Sequence, residues 1–390
     1  MNFSPPARAE SSPATPPDND ELAYWLALLR APRVGSVTFA RLLEDFNSPR
    51  QLFNASAAQW QAQGLNAKLQ AYLRTPDWVE VEQDLAWSAQ AGHQILTWNQ
   101  AAYPARLKEI HDPPPLLFVQ GKIELLSMPQ IAIVGSRNPS QNGEETAQEF
   151  AHYLAAAGWV ITSGMALGID AASHRGALAS TGYTIAVAGT GLNNVYPSKH
   201  QALAEQIRTQ GALVSEFPPD TPVRHVHFPR RNRIISGMSL GTLVVEATLR
   251  SGSLITARQA TEQGREVFAI PGSIHNPLAK GCHALIKEGA KLVESAQDIL
   301  EELHTFSPGI VPPQIGNNLS PTQHAAQKDR LDEDYSHLCK HMSIGEPISI
   351  DSLVERCGLT AEAVSSMLLI LELRGLVNSL PGGNYARVGN

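Results

Sequence analysis

From Ile131 to about Glu302, short apolar runs alternate regularly with helical patterns, and this alternation limits the possible folds more than any other feature of the chain. Ile131–Val134, Val160–Thr162, Thr184–Ala188, Leu213–Ser215, Thr242–Val245 and Glu266–Ile270 each read as a buried strand. Between them, Gly143–Ala157 places Ala147, Phe150, Ala151 and Leu154 on one helix face, and an Ala-rich helix with Asp170 as its expected cap runs through Leu178. Further helices are expected at Lys199–Thr209, from Leu254, and at Cys282–Lys287. Strands that are apolar throughout and separated by crossover helices form a parallel sheet covered on both faces, with ligands at the carboxyl ends of the strands. The expected class is therefore α/β, with one extended Rossmann-like parallel sheet domain.

A chain of 390 residues is too long for that domain alone, at roughly 150 residues per domain. Residues 1–20, rich in Pro, Ser and Asn, read as a disordered tail. Residues 21–75 read as an N-terminal helical domain, with Leu22, Trp25, Leu26 and Leu29 near helical spacing. Its Val34-Gly35 turn fits either a hairpin whose amides hold a DNA phosphate or a plain bundle with a Gly C-cap. The bundle is preferred because one Val-Gly pair is a weak signal. Residues 76–306 then hold the sheet domain with its connecting segment, and 307–332, rich in Pro, Gly, Asn and Gln, read as a linker. In 333–390, a helix from Ile350, a turn at Gly358-Leu359-Thr360, a second helix from Ala361 to Leu373 and a hairpin around Pro381–Tyr385 outline a winged helix. The recognition positions Ala361, Glu362, Ala363, Ser365 and Ser366 carry no Lys or Arg, which favours protein contact or scaffolding over DNA reading.

Several function classes drop out. Three scattered cysteines make neither a disulfide framework nor a metal pattern and point to a reducing, cytoplasmic setting. No apolar run has the length of a membrane helix. No dinucleotide fingerprint, catalytic triad or metal-ligand cluster stands out, so neither an enzyme nor a bound cofactor or metal is expected.

Against a net charge of −7, the stretch Arg224–Arg233 concentrates four arginines and two histidines around Phe228. Cations beside an aromatic that can stack on a base are what a single-strand groove requires. Any of Arg230, Arg231 and Arg233 is equally readable as a structural tie to an acidic neighbour such as Glu246, whose preferred role is a salt-bridge anchor for the cluster. Two strand-end turns add to the picture. Gly135-Ser136-Arg137 offers close backbone approach, outward amides and a bidentate Arg137, and Ser163–Asp170 repeats the logic on the next strand. Lys199, after Tyr196-Pro197, supplies a point charge to a third loop. His174 reads as a surface or core histidine rather than as part of the rim.

Taken together, G-S-R-x-x-S at Gly135, S-G-x-A-x-G-I-D at Ser163, Y-P at Tyr196, F-P-R-R-N-R-I-I-S-G at Phe228, E-A-x-x-x-S-G-S-L-I-T-A at Glu246 and P-G at Pro271 resemble the DprA (Smf) family of DNA-processing proteins, over roughly 116–303. The flanks are similar to its SAM-like and winged-helix domains. The resemblance implies a homodimeric cytosolic protein of natural transformation that binds and protects incoming single-stranded DNA and loads RecA onto it. It further implies phosphate contact by Arg137, Lys199, Arg230, Arg231 and Arg233, close backbone approach at Ser163 and Gly164, and base contact by Phe228. Two rivals remain. Gly241-Thr242-x-x-x-Glu246 is similar to a nucleoside-monophosphate phosphoribohydrolase motif, although its P-G-G lead is replaced by Ser236-Gly237-Met238-Ser239. A winged-helix regulator with a Rossmann sensing domain is the other, and the uncharged recognition helix weakens it.

Overall fold

The computed structural model describes residues 21–303, 338, 341–342, 347–373, 377–380 and 384–387. The expected tail at 1–20 and linker at 307–332 lie outside the described residues. The chain divides into two compact units, Met1–Pro313 and Gln314–Asn390.

The first unit begins with six helices: α1 (Glu21–Leu29), α2 (Ser36–Phe46), α3 (Pro49–Asn54), α4 (Ala57–Ala62), α5 (Ala67–Arg74) and α6 (Trp78–Ser88). Side-chain caps define several of their starts: Ser48 accepts from Gln51 N ahead of Pro49, and Ser56 forms a capping box with Gln59. Gly35 is the N-cap of α2 rather than the C-cap of α1, and in this turn the left-handed residue is Arg33, with φ 64°. The helices of 21–75, expected as a domain of their own, pack onto the segment that follows them, with Trp25 and Phe39 edge-on against Trp98, and Trp87 of α6 packs edge-on against Phe118 of the sheet.

After α6 come β1 (His93–Thr97), α7 (Ala105–Lys108), β2 (Leu116–Gly121), β3 (Gln130–Gly135), α8 (Gln141–Ala156), β4 (Val160–Ser163), α9 (Ile169–Ala179) and β5 (Thr184–Val187). The unit continues with α10 (Gln201–Gln210), β6 (Ala212–Ser215), α11 (His227–Met238), β7 (Gly241–Val245), α12 (Ser253–Glu262), β8 (Glu266–Ala269), α13 (Lys280–Lys287), β9 (Lys291–Leu292) and α14 (Ala296–Leu303). The nine strands form one sheet in the order β1-β2-β6-β5-β4-β3-β7-β8-β9. Pairing from β6 through β9 is parallel, while β1–β2 and β2–β6 are antiparallel, so the sheet is mixed at one edge.

The order explains where a ligand site belongs. From β3 the chain builds outward through β4, β5 and β6, then returns to lay β7 on the other side of β3. The loops leaving β3 and β7 diverge, and that divergence opens a crevice beyond the carboxyl ends of the two strands. Gly135 sits opposite Val245 there, and a Cβ on Gly135 would lie 1.9 Å from Val245 O. The glycine thus makes room for the neighbouring strand.

The basic run is itself helical. Phe228 to Gly237 lies in α11, the crossover between β6 and β7, with Pro229 in the first turn where no backbone donor is needed.

In the second unit, α15 (Ile350–Cys357) and α16 (Ala361–Leu373) precede β11 (Val377–Leu380) and β12 (Asn384–Arg387), and β10 (Ile348–Ser349) completes a three-stranded sheet ordered β10-β12-β11. Ser349 caps α15 and Gly358, at φ 68°, ends it. Leu353, Val364, Leu368 and Val377 form the core between helices and wing.

Candidate nucleic-acid interface

The crevice predicted by the strand order is present. A cavity of about 430 Å³ opens between the β3–α8 loop, the start of α9, the first turns of α11 and the loop leading into α12. A smaller one, about 90 Å³, lies beside it against Met165, Leu167, Tyr196 and Pro197. Arg137 and Phe228 border both cavities.

These two residues form the centre of the site. The exposed Arg137 guanidinium stands 5.9 Å from the centroid of the Phe228 ring, within cation–π range. Tyr196 lies 5.6 Å from the same ring at 35°, and His225 lies 6.4 Å away. The half-buried ring is seated on Gly189, where a Cβ would come within 2.8 Å of it. The site therefore brings together an aromatic ring and a cation, the residue types that a stacked base and its phosphate need.

The three arginines of α11 have different surroundings. Arg230 is 44% exposed, reaches Glu216 at 2.6 Å and lies over Phe217, which stacks on His227 at 4.1 Å. Arg233, at 5% exposure, meets the same Glu216 oxygen at 2.6 Å and Asp112 at 3.1 Å. Arg231 is buried beneath the strand ends and donates to Val187 O at 2.7 Å. The expectation that all three arginines line the groove is thus corrected: a guanidinium inside the protein does not reach a strand lying outside it. Burial pushes the Glu216 carboxyl up, against the pull of Arg233 and Arg230. It likewise pushes Arg231 down.

Ser163 and Gly164 are also interior. The Ser163 hydroxyl donates to Ile133 O at 2.6 Å. A Cβ on Gly164 would lie 2.0 Å from Arg231 Nη1 and 2.4 Å from Asp170 Oδ2, so this glycine makes room for protein side chains rather than for a ligand backbone. Asp170 does not cap α9; Gly168 occupies that position, and Asp170 Oδ2 accepts from Ala166 N at 3.2 Å. Burial pushes its carboxyl up, opposed by Arg231, the Ala166 amide and Arg137. Below Gly164, His174 is a core residue: Nε2 donates to Gly164 O at 2.6 Å and Nδ1 meets Thr184 Oγ1 at 2.7 Å. Burial lowers its pKa to about 4.

Glu246 corrects another expectation. It is not the anchor of the arginines. Its carboxylate accepts from Ser140 N at 2.7 Å and from Ser140 Oγ at 2.6 Å, so the amino end of α8 already holds an anion supplied by the protein. Glu246 has φ 52°, a conformation that costs about 1–3 kcal/mol in a non-glycine residue. The Ser140 bonds hold it there, and Gly143, where a Cβ would lie 2.5 Å from the carboxylate, leaves the space. The anchor that sequence reasoning missed is Glu216, which closes β6 and carried no motif. Lys199 is exposed on the 3-10 turn Ser198–His200 and lines neither cavity.

Comparison with known proteins places this geometry in a family. The family DNA recombination-mediator protein A matches residues 94–304, more than half of the chain. The chain belongs to the DprA/Smf family. The DprA winged helix domain matches 322–383, and the DprA-like N-terminal HHH domain matches 19–62, where the residues alone had favoured a plain bundle. Protein Smf of Escherichia coli (strain K12) is 45% identical over 311 residues, 79% of this chain and 81% of that protein. DNA processing protein DprA of Bacillus subtilis (strain 168) is 46% identical over 220 residues, 56% of this chain and 74% of its own. The X-ray structure of DprA from Streptococcus pneumoniae matches with a TM-score of 0.65 at 38% identity, covering 72% of this chain and 97% of that one. The DprA/Smf match spans the sheet, the crevice and both flanking modules. Among the described residues, no helix is long and apolar enough to cross a membrane.

Proposed function

We propose that this protein binds single-stranded DNA in the crevice beyond β3 and β7, with phosphates along the exposed cations and bases against Phe228. The observation that carries this reading is the Arg137–Phe228 pair standing between two cavities at the strand-order reversal. Arg137 and Arg230 contribute phosphate contacts, and Lys199 extends the path beyond the cavities. Arg231, Arg233, Ser163 and Gly164 hold the floor beneath them. The wider role is that of a cytosolic homodimer in natural transformation, protecting the incoming strand and loading RecA onto it. Its support is the family membership and the names of relatives described as DNA processing proteins.

The protein acts by binding rather than by catalysis. Glu246, the residue a phosphoribohydrolase would use on a nucleotide, has both oxygens engaged by Ser140. The test is a salt-titrated binding assay on single- and double-stranded DNA of the same sequence. Preference for the single strand, with log affinity falling by about 0.7 per phosphate contact for each tenfold rise in salt, is the expected result. Equal affinity for both forms, or release of free base from nucleoside monophosphates, overturns the reading.

A further inference from the structure

His227 opens α11, one turn before Arg230, and its ring is held from two sides. One face stacks on Phe217, with centroids 4.1 Å apart at 17°, and Nδ1 stands 3.2 Å from Gly189 O. A carbonyl oxygen can only accept, so Nδ1 carries the proton of the neutral ring and Nε2 is left with a lone pair. Among the described residues, Nε2 has no hydrogen-bond partner. The half-buried ring thus has one fixed tautomer and one nitrogen that the protein does not use.

The charges around it are mostly cationic. Arg224 precedes it in the loop, and Arg230, three residues on, lies over the same Phe217 ring at 5.4 Å. Burial, with Arg224 and Arg230, pushes His227 below its ordinary 6.5, against the pull of the Gly189 carbonyl. The acidic groups nearby are engaged: Glu216, beside Phe217, meets Arg230 and Arg233, and Asp220 on the same loop accepts from Asn193. Across Phe228 stand Arg137 and Asp170, the latter flanked by Arg231. His225, 6.4 Å from the Phe228 ring, is the other histidine of the stretch. A phosphate docked at Arg230 changes this balance. The neutral Nε2 lone pair repels a phosphate oxygen, whereas a protonated Nε2 donates a charge-assisted hydrogen bond to it, and the phosphate offsets the repulsion from the two arginines.

We infer that His227 takes up a proton when the strand docks and becomes one further phosphate contact beside Arg230, so that the groove holds single-stranded DNA more tightly as pH falls. The linkage has one sign. Binding raises the pKa of His227, so the extra affinity is fully present below the free-protein value and is lost as pH rises through the value in the complex.

This inference rests on the proposed single-strand binding and concerns how protons regulate it. The test uses the full chain and a thymine homopolymer, with affinity read by fluorescence anisotropy across the histidine range, about pH 5.5 to 8. Affinity is expected to rise roughly tenfold toward the acid end, the effect of one pKa unit. The log–log salt slope should steepen there by about 0.7, one added phosphate contact. Calorimetry of the native protein in two buffers of different ionisation enthalpy should register proton uptake on binding. His227→Gln should flatten the pH profile and remove the change in slope, whereas His225→Gln should keep both. His174, with a pKa of about 4, stays neutral in this range. A dependence that persists in His227→Gln belongs to a carboxyl such as Asp170 or Glu216 and overturns the inference, as does its loss in His225→Gln. A flat profile without proton uptake in the native protein overturns it even where the variants do not fold, while single-strand binding stands. Failure to bind at any pH overturns the underlying reading as well.

Discussion

Arg230 and Arg233 lie one helical turn apart on α11 and reach the same oxygen of Glu216, yet one side chain is 44% exposed and the other 5%. Arg231, between them, turns under the strand ends toward Val187. Charge clustered in sequence was thus divided by helical geometry into an outward set, with Arg137 and Phe228, and an inward set that supports the crevice floor. The difference teaches that local basicity is a poor measure of how many cations meet a ligand. Part of it is structural, and the two parts should respond differently to mutation.

The largest effect belongs to the inward set. Glu216→Ala leaves the buried Arg233 with only the partly exposed Asp112 as an acidic partner and should cost about 3 kcal/mol of stability, read as a fall in the urea midpoint. A loss under about 1 kcal/mol would assign Arg233 to the outward set and erase the distinction. Next comes the buried His174. Its folded pKa, about 4, lies below the ordinary 6.5, so the unfolded chain takes up the proton first as pH falls. Its contribution is fully present above pH 6.5, is lost between 6.5 and about 4, and amounts to roughly 3 kcal/mol over that window. Denaturation curves of wild type and His174→Asn across this range measure it; parallel pH profiles would remove His174 from the inward set.

Smaller effects belong to the outward set and appear in binding rather than folding. Phe228→Ala should weaken single-strand affinity by about 1–3 kcal/mol, with the salt dependence unchanged, because stacking releases no counterions. Arg137→Ala should lower affinity on every sequence alike and flatten the log–log salt slope by about 0.7, one phosphate contact. Neither variant should shift the urea midpoint measurably. A large stability loss in either would show that the outward face also supports the fold.

Much of this organisation was legible in the residues. Short continuous apolar runs and period-3.6 patterns located β3 to β8 and most of their helices, since burying apolar side chains is a local requirement that the sequence records. The joint motifs identified the family, and Phe228 and Arg137 were each singled out as candidate contacts, though only the fold brings them together as a pair. Glu216 was missed because its partners, Arg230 and Arg233, lie on the next element and only the β6–α11 crossover brings them together. Glu246 was assigned to the wrong partner for a similar reason: Ser140 lies 106 residues away, and a left-handed backbone turns the carboxylate toward it.

The sequence by itself therefore determined the α/β alternation and the supply of cations and aromatics, because each follows from the local chemistry of the chain. Tertiary structure alone decided that Ser163, Gly164, Arg231 and Arg233 face inward, that a protein carboxylate already fills the amino end of α8, and that Asp170 lines a cavity. Those outcomes depend on which strand neighbours which and on the angle at which each helix side meets the sheet. Both are set by packing the whole core at once, and no local stretch of residues carries that information.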